Sequence, residues 1–178
     1  MPLVSALAIS VGVLGGLATW LFLGPLAGGL QIWATFIAWA CFFHCGGKEA
    51  GLKATVLANI AGAVMAWLTL LAVSRGGLGD TLGLPVWAGI CVGVGVLVMI
   101  LLGHLPAFAA IPAMVYGFAA MAGYTLLTAD GLANLTAASL ANPLITIVLS
   151  MIVGAALGYV SEKVAGMLVA SGSQTRRA

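Results

Sequence analysis

The stretch VWAGICVGVGVLVMILL, residues 86–102, contains no charged side chain and no polar break. A helix needs about 20 apolar residues to cross the hydrocarbon core of a bilayer. The residues are continuously apolar and do not alternate, which indicates a helix and not a strand of a membrane barrel. Five further runs share this pattern: Leu3 to Leu23, Leu30 to Cys45, Leu52 to Val73, Leu105 to Leu127 and Pro143 to Ala170. Numbered along the chain as segments one to six, these runs predict an all-α integral membrane protein with six transmembrane helices.

The composition of the whole chain supports this class. Of 178 residues, 63% are hydrophobic and 6% are charged, whereas a soluble domain has about 25% charged residues. So little polar surface excludes a soluble domain, and the absence of a basic face excludes a nucleic-acid partner. Because the loops are short, we expect one polytopic membrane domain over residues 1–170, in contact with the lipid bilayer, and a short basic cytoplasmic tail over residues 171–178.

The positions of the basic residues predict the orientation. Six spans place both termini and the second and fourth loops on one side. Five of the six basic residues lie on that side: Lys48, Lys53, Lys163, Arg176 and Arg177. Arg75 lies on the other side, together with Asp80 and Asp130. Basic residues concentrate on the cytoplasmic side of membrane proteins, so both termini are predicted to be cytoplasmic.

Three spans in each half raise the question of an inverted 3+3 repeat. Segment two is short and flanked by glycine pairs, and segment five contains Pro106 and Pro112. Interrupted segments at matching positions of two halves indicate a transport site. Direct comparison of the halves gives no convincing residue-level identity, so a match that arises from the choice of halves is the alternative.

The centres of all six segments lack ionisable residues. Ion-coupled transporters usually keep such residues inside the membrane. Their absence favours passage of a neutral or weakly polar solute, or a role without transport.

Polar side chains follow a spacing of four in segment six, at Asn142, Thr146 and Ser150. This spacing places them on one helical stripe, which either lines a solute path or holds helices together. Asn59 follows Thr55 at the same spacing in segment three and has the same two interpretations. Two small-residue pairs, Gly12 with Gly16 and Gly89 with Gly93, are predicted to be close helix-packing faces.

Segment two carries the densest aromatic cluster of the chain. Phe36, Trp39 and Phe43 form either a constriction that removes water from a solute or ordinary packing. Pro106 and Pro112 are expected to break segment five and free backbone carbonyls for the solute.

His44 lies at the cytoplasmic end of segment two and is a candidate pH-sensitive gate. Together with Cys41 and Cys45 it supplies fewer than the four ligands of a structural zinc site, so we expect no metal and no cofactor. No nucleophile has a base at a plausible spacing, and therefore no enzymatic activity is expected.

Several short motifs resemble one family. They are Gly12 to Trp20, Trp33-Ala34-x-Phe36, Phe42-Phe43, Gly46-Gly47 and Gly51-Leu52-Lys53. The chain resembles the small bacterial inner-membrane proteins grouped as domain of unknown function 1097. Leu105-Pro106-x-Phe108 and Gly117-Phe118-Ala119 are similar in position to a later segment of that family, although a threonine is absent and Pro112 is additional. The resemblance implies a multi-pass protein of the bacterial inner membrane with no assigned activity.

Leu105-Pro106 with Pro112 is also similar to the leucine-proline…proline signature of urea channels, with a spacing that differs by one and without the intervening hydroxyl residue. The expected function is therefore a passive channel or facilitator for a small neutral solute, urea-like or amide-like, assembled as a homo-oligomer. A non-transporting assembly subunit and a secondary exporter of a small metabolite are the alternatives.

Overall fold

The structure, a computed structural model, describes the backbone of residues 1–174 and the side chains through Ser171. Within this range there are six longer α-helices: α1 Leu3–Leu23, α2 Ile32–His44, α3 Lys48–Arg75, α4 Leu84–Leu101, α5 Ile111–Leu127 and α6 Pro143–Gln174. The connections contain a four-residue helix, Gly79–Leu82, and three 3-10 turns, Leu102–His104, Pro106–Phe108 and Ala133–Thr136. The described residues form no strand, which confirms the all-α prediction.

Four stretches are long and apolar enough to cross a membrane: Leu3–Leu23, Lys48–Arg75, Leu84–His104 and Pro143–Ser171. The other two helices are shorter. With a rise of 1.5 Å per residue, the 13 residues of α2 and the 17 residues of α5 span about 20 and 25 Å, against a hydrocarbon core of about 30 Å. Length therefore supports four spans directly, and α2 and α5 need the irregular backbone beside them to complete a crossing.

Both short helices follow an irregular segment rich in glycine or proline. Residues 24–31 precede α2 and include Gly28 at φ +81°, a left-handed backbone that favours glycine. Residues 102–110 precede α5, which begins at Ile111 and not at Leu105 as predicted. The predicted segment Leu105 to Leu127 is interrupted, as expected, because a 3-10 turn begins at Pro106 and the α-helix begins only at Ile111. Pro112 occupies the first turn of α5, where a missing N–H costs nothing.

The helices pack in matching pairs. The two most extensive pairings are α3 with α5 and α2 with α6. The next is α1 against α6, and α4 packs in the same manner against α3. Since α3 and α6 also contact each other, they form the centre of the bundle, with α1 and α4 at its periphery. The predicted tail begins inside α6, which continues to Gln174, while Arg176 and Arg177 lie outside the described residues.

Glycines set the distance between the paired helices. A Cβ atom on Gly154 of α6 would overlap the carbonyl oxygen of Thr35 in α2. One on Gly62 of α3 would overlap the carbonyl oxygen of Met114 in α5, and one on Gly117 would overlap that of Asn59. Helix backbones approach this closely only where a side chain is absent. Both major pairs are therefore built on backbone-to-backbone contact.

The predicted packing role of the other glycine pairs is wrong within one copy of the chain. A Cβ atom on Gly12, Gly16, Gly89 or Gly93 would find no atom within 4 Å. These glycines lie on the outer faces of α1 and α4, because those helices turn their opposite faces to the bundle.

We expect Gly154→Ala to lower the free energy of unfolding by about 1–3 kcal/mol, because the added methyl group overpacks the contact between α2 and α6. The matched control is Gly12→Ala, whose methyl group meets no neighbour. Thermal unfolding in detergent distinguishes the two variants. Equal melting temperatures would contradict the close approach.

Candidate solute site

The polar stripe of α6 faces neighbouring backbone. Asn142 donates two hydrogen bonds through Nδ2, to the carbonyl oxygens of Leu135 (3.1 Å) and Ala137 (2.9 Å). Its Oδ1 accepts the N–H of Leu144 at 2.9 Å and so caps the first turn of α6. Asn142 is thereby fixed between the 3-10 turn Ala133–Thr136 and its own helix.

Thr146 and Ser150 are equally engaged. The Thr146 hydroxyl donates to the carbonyl oxygen of Leu140 at 2.6 Å. The Ser150 hydroxyl donates to the carbonyl oxygen of Thr146 at 2.6 Å and accepts the N–H of Gln31 at 2.8 Å. The Thr35 hydroxyl donates to the carbonyl oxygen of Ser150 at 3.1 Å. These bonds fasten the start of α2 to α6, as expected for polar groups that hold helices together.

The three aromatic candidates occupy different environments. Trp39 is buried, and its Nε1 donates to the Ser161 hydroxyl of α6 at 2.9 Å. Phe36 stacks on Trp39 with ring centroids 5.6 Å apart, yet 41% of its surface is exposed. Phe43 is also exposed and contacts the ring of Phe42. The structure thus brings Phe36 and Trp39 together, but Phe43 does not join them.

His44 and both prolines line two adjoining cavities. Pro112 and His44 line a cavity of about 180 Å³ with Cys45 and Ala113, and Pro106 lines one of about 550 Å³ beside Lys53. Two alanines, Ala54 and Ala110, are common to both cavities. Nδ1 of His44 lies 2.9 Å from the Tyr116 hydroxyl oxygen of α5, so a hydrogen bond joins α2 and α5 beside the smaller cavity.

A third cavity, of about 420 Å³, lies at the other end of the same two helices. It is lined by Gln31, Trp33, Gly123, Tyr124, Leu127 and Thr128. The rings of Trp33 and Tyr124 are in contact there, with centroids 6.5 Å apart. We call the contact between α2 and α5 the α2–α5 seam. One pair of aromatic rings is in contact at each of its ends: Trp33 with Tyr124, and His44 with Tyr116.

Asn59 and Thr55 of α3 differ from the α6 stripe. Both side chains are buried, and Oδ1 of Asn59 lies 3.6 Å from the Cys41 thiol. Among the described residues, no hydrogen-bond partner is found for Nδ2 of Asn59, and the Thr55 hydroxyl, which lies beside the Cys41 thiol, forms no hydrogen bond of ordinary geometry. An unsatisfied buried polar group costs about 1–3 kcal/mol, so their position calls for an explanation other than stability.

The sequence interpretation missed Tyr116 and Tyr124. Each is a tyrosine inside an apolar helix, where the hydroxyl usually marks a hydrogen-bond partner or an aqueous boundary. That signal was available, but the partners His44 and Trp33 are distant in sequence.

Packed apolar helices, cavities at both ends of one helix pair and few charged groups define a helical membrane protein. Within this class, the chain belongs to the family of proteins of unknown function DUF1097, whose family model matches residues 8–166. No curated protein and no solved structure matches the chain significantly. The family resemblance seen in the sequence is thus confirmed.

The bond between Trp39 and Ser161 provides a test of the aromatic assignment. We expect Ser161→Ala to destabilise the protein, because the buried indole N–H loses its acceptor, and Trp39→Phe to relieve part of that cost. Double-mutant unfolding in detergent should give a coupling of about 0.6–1.7 kcal/mol. Additive effects of the two substitutions would show that the hydrogen bond contributes no coupling free energy to stability.

Proposed function

We propose that the protein is a passive facilitator for a small neutral or weakly polar solute, with its path along the α2–α5 seam. The observation that carries the proposal is the pair of cavities at the two ends of this seam. The two helices that form the seam, α2 and α5, are each too short to span a bilayer alone. Irregular backbone at membrane depth is tolerated where protein covers it or where it lines a cavity, and the latter is a property of transport sites.

The proposed topology has six crossings and both termini in the cytoplasm of a bacterial cell. The irregular residues 24–31 and 102–110 extend α2 and α5 to the membrane surface. This arrangement keeps Lys48, Lys53 and Lys163 on one side and agrees with the charge rule for the inner membrane.

The pairing of the helices supports an inverted 3+3 repeat. If α1, α2 and α3 correspond to α4, α5 and α6, then the pair α2–α6 corresponds to α5–α3, and α1–α6 corresponds to α4–α3. Both correspondences appear among the principal contacts. Three crossings in each half make the two halves opposite in direction, and substrate sites lie at the interface of such repeats.

Aligning the halves by their packing also reveals a sequence match that direct comparison missed. Ile9-Ser10-Val11-Gly12-Val13 in α1 corresponds to Ile90-Cys91-Val92-Gly93-Val94 in α4. Four of these five positions are identical, and the fifth exchanges a hydroxyl for a thiol. In the same register Pro25 corresponds to Pro106, each in the irregular segment that precedes a short helix.

The two end cavities correspond under this repeat. The contact of Gly154 with Thr35 matches that of Gly62 with Met114, which pairs Thr35 of α2 with Met114 of α5. The register then pairs cavity-lining residues with one another: Gln31 with Ala110, Trp33 with Pro112, Gly123 with His44 and Tyr124 with Cys45. Equivalent cavities on opposite sides of the membrane support entry and exit of one path.

His44 is the proposed gate of the cytoplasmic end. Its hydrogen bond to Tyr116 joins α2 to α5 beside the smaller cavity, and a charged imidazole cannot accept this bond because both of its nitrogens then donate.

The engaged polar stripe of α6 favours a second candidate, a non-transporting assembly subunit, because its groups already have partners inside the chain. The unpacked glycines of α1 and α4 suit association with further copies under either proposal. Co-purification from native membranes with a foreign protein at fixed stoichiometry would support the second candidate.

Osmotic shrinkage of proteoliposomes tests the facilitator. Urea, acetamide, glycerol and small acids are compared as the solute, with empty vesicles as the control. We expect at least one neutral solute to enter faster than in empty vesicles, without an ion gradient. No difference for any solute would refute the proposal.

Single cysteines test the topology in a variant whose three native cysteines are replaced by serine. Six crossings predict that Lys53→Cys reacts with an impermeant thiol reagent only from the cytoplasmic face. Asp130→Cys should react only from the opposite face. Labelling of both positions from the same face would contradict the proposed topology, which has an odd number of crossings between them.

A further inference from the structure

We propose that Thr55 and Asn59 form the central binding site of this path and recognise a neutral solute with a carbonyl group next to an amide N–H. The inference rests on the proposed function and adds to it the site and the chemical class of the solute.

The two side chains lie one turn apart on α3 and are almost completely buried, with 0% and 2% of their surface exposed. Asn59 meets both helices of the α2–α5 seam. Its Oδ1 lies beside the thiol of Cys41 in α2, and its backbone carbonyl lies against Gly117 in α5. The site is therefore at the junction of α2, α3 and α5.

Buried hydroxyls elsewhere in the chain show how a structural threonine behaves. Thr69 and Thr125 each donate to the carbonyl oxygen four residues earlier, at 2.8 Å. For Thr55 no such bond is found, although its helix offers the same kind of acceptor. Nδ2 of Asn59 has no partner either. Two neighbouring polar groups with free bonding capacity in an apolar interior indicate a place that a polar molecule occupies.

The 180 Å³ cavity lies close to this junction. Its lining includes Ala54, which precedes Thr55, and Cys45, which lies one turn beyond Cys41. A water molecule occupies about 30 Å³ in the liquid, so the cavity has room for a solute of a few heavy atoms. His44 is one of its lining residues.

The free bonding groups define the solute. Oδ1 of Asn59 already faces Cys41, so the amide offers chiefly the N–H donors of Nδ2. The Thr55 hydroxyl oxygen can accept as well as donate. A carbonyl that accepts from Asn59, beside an N–H that donates to Thr55, satisfies both groups, as in urea or acetamide. An ion would be left without a countercharge at a buried site, which is strongly unfavourable.

Urea, acetamide and glycerol flux into proteoliposomes is measured for the wild type, Thr55→Val and Asn59→Leu, alongside thermal unfolding. We expect flux to fall about tenfold in each variant, as the loss of one such hydrogen bond implies. The melting temperature should stay constant or rise, because an unsatisfied group is replaced by an apolar one of similar shape. Thr55→Ser keeps the hydroxyl group and should retain wild-type flux. The control Thr125→Val should also leave flux unchanged.

Wild-type flux in Thr55→Val and Asn59→Leu would overturn the site while the facilitator stands. Absence of wild-type flux for every solute would overturn both. Equal loss for glycerol and acetamide would overturn the carbonyl preference.

If Asn59→Leu does not fold, thiol labelling keeps the test decisive. In a Cys45→Ser, Cys91→Ser background, acetamide should slow the reaction of Cys41 with N-methylmaleimide. Unchanged labelling kinetics would overturn the proposed site.

Discussion

The contact of bare backbone between paired helices is the constraint on which the rest of the structure depends. Gly154 against Thr35 and Gly62 against Met114 leave no room for a side chain. Between helices in lipid there is no hydrophobic force, so close van der Waals packing and hydrogen bonds must hold them. Because α6 thereby holds α2 and α3 holds α5, these two short helices contact each other beside the central pair α3 and α6.

The buried polar side chains of the two central helices, α6 and α3, differ in their hydrogen bonding. Those of α6 bond to nearby backbone: Asn142 caps its own helix and Ser150 accepts from Gln31 at the start of α2. Those of α3, Thr55 and Asn59, have free bonding capacity. The first set stabilises the irregular chain segments that precede α2 and α6, and the second set is the proposed contact for the solute. The same residue types thus have opposite roles on the two central helices.

The fold class could be predicted from the sequence, because continuous apolar runs and sparse charge have one physical solution in a bilayer. Helix bounds followed closely where glycine pairs or charges flank a run, as for Leu3–Leu23. The start of α5 was predicted wrongly because a proline at position 112 is compatible both with a break inside a helix and with the first turn of a helix. Candidate site residues were harder to rank, since spacing along a helix gives a face but not its neighbour. Only the neighbours distinguish Asn142, which is satisfied, from Asn59, which is not.

Under the proposed repeat the two ends of the α2–α5 seam correspond, but His44 lines the cavity at one end and Gly123 lines the cavity at the other. A protein without an energy source obeys detailed balance, so this difference cannot favour inward over outward flow once concentrations are equal. The difference can only allow one compartment to set the conductance, which is the same for flow in both directions. With the proposed gate at His44, the side of the membrane that His44 faces regulates exchange in either direction.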